Sequence, residues 1–235
     1  MPNEFAIKST SKMVLLTALL LFVSGNSVIA STPNSDLIAR AKRGVVLITT
    51  YDRYGQPEKQ GSGFFLTNDR VATNSHVVET ASRIQITTAN GKSAFASSII
   101  ALDKASDLAL LQLGAPILDA TPLSLADVTP DAGEPVLLVS NPAGERGTVS
   151  FGLLGPAWKF VNFGERLQIT AKVSAGSSGG PVLDLDGRVI AIAVMHVESA
   201  ENLSFAIPVE RLRSLQSGAD FMLNAIAGRA GSRQR

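Results

Sequence analysis

The sequence predicts an all-β protein: two six-stranded antiparallel β-barrels with a C-terminal helix. Three observations lead there. From Val45 onward the apolar residues come in short, β-branched runs instead of helical stripes. Clusters of Gly, Pro, Asn and Asp separate those runs. A stretch over 115–133, containing Pro116, Pro122 and Pro130, divides the runs into two sets. The 235 residues are 45% hydrophobic and 17% charged, enough apolar material for one large β unit or two small ones.

The first set comprises 45–50, 61–67, 71–74, 83–89, 94–102 and 108–113, a barrel over about 45–115. The second comprises 135–140, 147–154, 166–173, 181–185, 188–194 and 203–207, a barrel over about 133–208. Asp186-Gly187 between two apolar runs is a hairpin signal, since Gly accepts the positive φ of a tight hairpin. Helical spacing is confined to the ends. Residues 36–43 follow Ser35 as N-cap, and 208–227 have Pro208 in the tolerated first turn. The segment 209–235 is therefore read as a helix and a basic tail, with 229–235 expected to be disordered.

Residues 1–30 read as a secretory signal. Lys8 and Lys12 precede an apolar stretch over 13–23, and Val28-Ile29-Ala30 offers the small or apolar residues that a signal peptidase reads. Cleavage is expected after Ala30. The apolar stretch is about half of the roughly 20 residues needed to span a bilayer, so no stable membrane anchor is expected. With no cysteine, the chain can neither take a lipid through one nor close a disulfide. These features predict a periplasmic or secreted protein that folds on its core alone. The 21 basic and 20 acidic residues nearly cancel, so no single-signed field recruits nucleic acid. The sequence offers no metal-ligand cluster or phosphate loop, and no cofactor is expected.

The chemistry concentrates in Gly176-Ser177-Ser178-Gly179-Gly180-Pro181. A nucleophilic serine needs its hydroxyl on a tight turn, with backbone N–H groups free to receive the charge of an attacked carbonyl. Glycines leave room for both. Alone, the segment serves equally well as a turn between strands. Two upstream segments add to it: 71–78, where a β run leads to His76, and 107–111, where Asp107 opens an apolar strand. His76 is one of two histidines. Together His76, Asp107 and Ser178 supply a base, an orienting acid and a nucleophile. The bland readings are a packed imidazole and an acid capping a turn.

The segments 61–65 (Gly-Ser-Gly-Phe-Phe), 73–78, 107–111, 176–181 and 204–208 (Ser-Phe-Ala-Ile-Pro) together resemble trypsin-like serine proteases, most closely the bacterial HtrA/Deg type. The resemblance covers 36–215, and the order His, Asp, Ser is that of chymotrypsin-type enzymes. One position departs: the family reads Gly-Asn-Ser-Gly-Gly-Pro, and Ser177 stands at the Asn. The resemblance implies a protease domain over 31–215 and a serine endopeptidase acting on polypeptides, exported or misfolded ones among them. Ser178 would attack the carbonyl, His76 would carry the proton and Asp107 would orient the imidazole. The N–H groups of Gly176 and Ser178 would form the oxyanion hole.

The same resemblance implies that Lys172, Val194, Met195, His196 and Ser204 border the pocket for the substrate side chain before the cut. An inward Lys172 or His196 favours an acidic side chain. A Lys172 turned to solvent leaves Val194 and Met195 as an apolar wall for Val, Leu or Ala. Register selects between the two, because adjacent strand residues face opposite sides. HtrA-type enzymes carry a PDZ domain after the protease, and the residues following Pro208 are too few for one. The segment 51–60 is too short for the long regulatory loop of some relatives. A homo-oligomer is left open.

Two other classes fit parts of the pattern. Residues 176–180 match the G-x-S-x-G elbow of α/β-hydrolases, but there the histidine follows the serine and helices alternate with parallel strands. This sequence lacks those helices. A catalytically silent chaperone or peptide-binding module on the same fold would use the groove without cutting.

Overall fold

The computed structural model describes residues 34–197 and 203–232. The signal segment expected over 1–30 lies outside the described residues. Strands β1 (Val45–Tyr51), β2 (Pro57–Phe65), β3 (Arg70–Thr73), β4 (Arg83–Thr88), β5 (Ser93–Asp103) and β6 (Leu108–Leu113) close one barrel in the order β1-β2-β3-β6-β5-β4. Strands β7 (Pro135–Ser140), β8 (Thr148–Phe160), β9 (Gly164–Ile169), β10 (Pro181–Leu183), β11 (Val189–Val197) and β12 (Leu203–Pro208) close the other in the order β10-β11-β12-β9-β8-β7. Every strand pairing is antiparallel, and the two barrels share one topology. Helices α1 (Ser35–Gly44), α2 (Ser75–Val78) and α3 (Val209–Ser232) and a single 3₁₀ turn at Pro142–Gly144 make up the helical part of the described chain.

Alternation along the strands sorts the apolar side chains into three clusters. Val46, Ile48, Phe65, Val71, Ala109 and Leu111 pack together from the first barrel. Leu138, Leu167, Ile169, Val182 and Ala206 do so from the second. The third cluster joins the barrels: Phe64, Leu108 and Leu110 meet Leu137, Val139, Leu183, Ile192 and Ile207. On β6, Leu108 and Leu110 therefore face the other barrel while Ala109 and Leu111 face inward, and all four are fully buried. Each buried leucine contributes about 2 kcal/mol. That two-sided burial explains the unbroken apolar run. Helix α3 lays Leu212, Leu215 and Ala219 into the same joining cluster, near Ile100 and Ala101 of β5, and Asp220 pairs with Arg70.

Several boundaries differ from the sequence expectation. Asn34, not Ser35, caps α1, with its Oδ1 accepting from Asp36 N at 3.1 Å. Strand β8 continues past Gly155-Pro156 because pairing with β9 shifts register between Leu154 and Ala157, and at such a bulge a proline sacrifices no ladder bond. Strand β9 ends at Ile169, not 173, and β10 ends at Leu183, where Asp184 turns back to Arg188. Pro208 closes β12 instead of opening the helix, and α3 stays helical through Ser232, into the stretch expected to be a disordered tail. Residues 233–235 lie outside the described residues.

Candidate active site

The site draws on both barrels. Helix α2 follows β3 as a single turn whose Val77 and Val78 are buried in the first barrel's core, leaving the His76 side chain 46% exposed. Asp107 precedes β6 with φ of 60°, a left-handed conformation that costs a non-glycine residue about 1 kcal/mol or more. The surrounding turn is held from several sides. Asp103 Oδ1 accepts from Ala105 N and Ser106 N at 3.0 Å each, and Asn74 Nδ2 donates to Asp107 O at 2.9 Å.

The Asp107 carboxylate accepts three hydrogen bonds. Oδ2 takes His76 Nδ1 at 2.8 Å, while Oδ1 takes His76 N at 2.9 Å and Ser75 Oγ at 2.8 Å. Burial pushes its pKa up, but the His76 ring, the His76 N–H and Ser75 outweigh burial and hold it below the ordinary carboxylate value. An ionised carboxylate accepting from Nδ1 fixes the proton there, which leaves Nε2 with the lone pair that a general base uses. A cavity of about 310 Å³ opens beside the pair, walled by Glu79, Lys104, Phe163, Arg166 and Val194.

Ser178 lies on the turn before β10. Its Oγ donates to Val194 O at 3.1 Å, and among the described residues no hydrogen bond joins it to His76. The turn is clamped to the first barrel through Ser62, whose N donates to Ser178 O at 2.8 Å and whose Oγ donates to Gly176 O at 2.7 Å. Gly176 has φ of 88°, and a Cβ there would lie 2.9 Å from Asn141 O. Gly179 has φ of 86°, and a Cβ there would overlap Ser62 O and Thr73 Oγ. Only glycine satisfies both demands at either position. Among the described residues the N–H groups of Gly176 and Ser178 donate to no protein acceptor.

Residues 61–192, more than half of the chain, match the model of the trypsin-like peptidase domain. The chain belongs to the trypsin-like peptidase family. It is 32% identical to the putative serine protease HhoB of Synechocystis sp., over 68% of this chain and 40% of that protein. It is also 32% identical to a probable periplasmic serine endoprotease, DegP-like, of Chlamydia muridarum, over 63% of this chain and 31% of that one. The crystal structure of the serine endoprotease from Yersinia pestis superposes with a TM-score of 0.69 at 26% identity, covering 80% of this chain and 68% of that one. The chain spans less than half the length of the two curated relatives.

In this trypsin-like peptidase domain the five residues assigned to the substrate pocket separate. Lys172 is exposed, with its N–H donating to Ser150 Oγ at 2.7 Å. Ser204 is buried and its Oγ accepts from Val173 N at 3.3 Å, so it supports the backbone leading to the serine turn. Val194 lines the cavity from a bulge: pairing with β12 passes from Ala193↔Ala206 to Met195↔Phe205, leaving Val194 opposite no residue. The bulge breaks the alternation on which a simple register argument relies. Met195 and His196 pair through their backbones with Phe205 and Ser204, and their side chains lie outside the described residues.

Three residues without a role in the sequence reading complete the peptidase site. Ser62 carried one signal, a hydroxyl between two glycines ahead of Phe64-Phe65. Asn141 is buried, accepts Gly147 N at Oδ1 (3.0 Å) and donates Nδ2 to Val46 O (2.7 Å), which ties the second barrel to β1. Arg166 on β9 is 2% exposed, and nothing in its local pattern marks it.

Proposed function

We propose that the chain is a serine endopeptidase that cleaves polypeptides with Ser178, His76 and Asp107. The observation that carries the reading is the 2.8 Å His76–Asp107 pair, held beside a serine turn whose Gly176 and Ser178 N–H groups have no protein acceptor among the described residues. To react, Ser178 Oγ leaves Val194 O by side-chain rotation, gives its proton to His76 Nε2 and bonds to the carbonyl carbon. The negative oxygen is received by the two N–H groups, each worth on the order of 100-fold in rate. His76 then returns the proton to the amine as the C–N bond breaks, and water repeats the sequence to free the acyl group. Asp107 stays ionised and offsets the imidazolium charge.

Substrate binding itself would release the nucleophile. Pairing of β10 with β11 begins at Pro181↔Ile192, so the β11 edge is unpaired by β10 at Val194. An extended peptide adding there as a strand takes Val194 O with its own N–H. The proposed substrates are exported or misfolded polypeptides, met in the periplasm or outside the cell once residues 1–30 are removed. Mass spectrometry of secreted protein tests this, with Ser31 as the expected N-terminus. Cleavage after small or medium aliphatic residues is expected, since Lys172 lies at the surface, and a peptide library dominated by cuts after Glu or Asp would reverse that assignment.

The decisive experiment is labelling of the purified protein with a fluorophosphonate. Labelling is expected at Ser178, absent in Ser178→Ala and slowed on the order of 10⁶-fold in His76→Ala. Labelling that persists in Ser178→Ala would sink the assignment. A second reading, a peptide-binding module that does not cut, draws on the Ser178 hydroxyl being bonded to Val194 O instead of His76. Wild type that binds peptides yet stays unlabelled with peptide present would establish that reading instead.

A further inference from the structure

We infer that Arg166 is a positioning residue, reaching from the second barrel to hold the turn of the first barrel that aims Asp107 at His76. The inference rests on the peptidase reading above. Arg166 Nη2 donates to Ser106 O at 3.2 Å and Nη1 donates to Glu165 O at 2.9 Å. Ser106 O belongs to the peptide that joins Ser106 to Asp107, the residue held at φ of 60°. The guanidinium therefore grips the peptide before Asp107, while Asn74 Nδ2 grips the carbonyl after it. Asp103 caps the two N–H groups upstream. With the arginine removed, the strained residue has one restraint fewer against relaxing to negative φ, and the carboxylate moves with it.

Burial of this side chain asks for an explanation. A buried cation is costly without a partner, and among the described residues Arg166 has no carboxylate within ion-pair distance. Burial pulls its pKa below the ordinary value, the charges of Asp107 and Asp103 oppose that, and Arg211 from α3 adds to it. Its charge is thus balanced at a distance by the acid of the site. His76, Glu79 and Lys104 share the adjoining cavity, with Lys104 paired to Glu79 at 2.9 Å. The guanidinium serves two separable ends: its fork fixes the turn, and its charge favours the ionised form of the His76–Asp107 pair.

The test measures the fluorophosphonate labelling rate of the full chain against pH for wild type, Arg166→Lys and Arg166→Met, beside a melting curve for each. Removing the cation favours the protonated form of the coupled pair, so in Arg166→Met the acid limb is expected to move to higher pH. The plateau should fall on the order of 100-fold from misplacement of the acid. Arg166→Lys keeps the charge and loses the fork, so its plateau should fall with the limb unmoved. If Arg166→Met does not fold, the lysine variant decides: a plateau about tenfold or more below wild type supports the inference, and a wild-type plateau overturns it. Variants that melt earlier but keep both the limb and the plateau of wild type overturn the inference alone. Wild type unlabelled at every pH overturns the peptidase reading and this inference with it.

Discussion

Replacing Ser62 by alanine removes a single hydroxyl that works in two directions. It donates to Gly176 O at 2.7 Å and accepts from Asn141 N at 2.8 Å, and Ser62 is fully buried. The change is clean, because Ser62 N still donates to Ser178 O and Thr73 Oγ still donates to Ser62 O. Asn141 is buried, so its orphaned N–H incurs the desolvation penalty of an unmet donor. Gly176 is half-buried, so its carbonyl recovers some bonding from water and sits at the lower end of the range. At about 1 to 3 kcal/mol per orphaned group, the expected loss of stability is roughly 2 to 4 kcal/mol. Releasing the Gly176 carbonyl also loosens the residue whose N–H we propose receives the oxyanion, so labelling of the folded protein should slow by about 10- to 100-fold. Equilibrium unfolding in urea reads the first effect from the midpoint at constant slope, and the fluorophosphonate rate in the absence of urea reads the second. An unmoved midpoint would refute the hydrogen-bond reasoning. A shifted midpoint with a wild-type labelling rate would refute the link between this hydroxyl and the serine turn.

Gly179→Ala should abolish soluble folded protein, because the residue has φ of 86° and its new methyl would overlap a backbone oxygen that cannot yield; a wild-type melting curve would contradict this. The pKa of Asp107 is depressed in the native state, so its stabilisation is complete above the unfolded value of about 3.9 and is lost as pH falls through the lower native value. Unfolding free energy measured downward from pH 6 should therefore fall less steeply below about pH 4 in Asp107→Asn than in wild type, and equal slopes would argue against the depressed value. Asp220→Ala breaks an ion pair with Arg70 whose side chains are 43% and 23% exposed, so the expected loss is under about 1 kcal/mol; a loss several times larger would mean that α3 depends on that pair.

Strands buried on both faces, β6 and β7 above all, were plain in the sequence because each holds four consecutive apolar residues, 108–111 and 136–139. Strand β8 was cut short at Gly155-Pro156, since a bulge arises from the partner strand's register and leaves no mark of its own. Helix α2 is four residues long, too short for any periodicity to show. The glycine-flanked turn at Ser178 and the acid at Asp107 were legible because each is a local chemical pattern, and the fold brings Asp107 against His76. The contacts of Ser62 and Arg166 were illegible for the opposite reason. Their partners lie 114 and 60 residues away along the chain, and only the meeting of the two barrels creates them.

Helix α3 has a consequence for how the chain is made. It follows all twelve strands, yet its Leu212, Leu215 and Ala219 pack in the cluster that contains Ile100, Ala101 and Leu108 of the first barrel. A ribosome adding about 5 to 20 residues per second delivers β6 roughly ten seconds before α3. Leu108 and Leu110 of β6 are met within that interval by Leu137 and Val139 of β7, but the side of β5 at Ile100 and Ala101 waits for the helix, an apolar surface open to self-association until then. The first barrel is thus started early and covered late, and its completion is timed by the arrival of the helix.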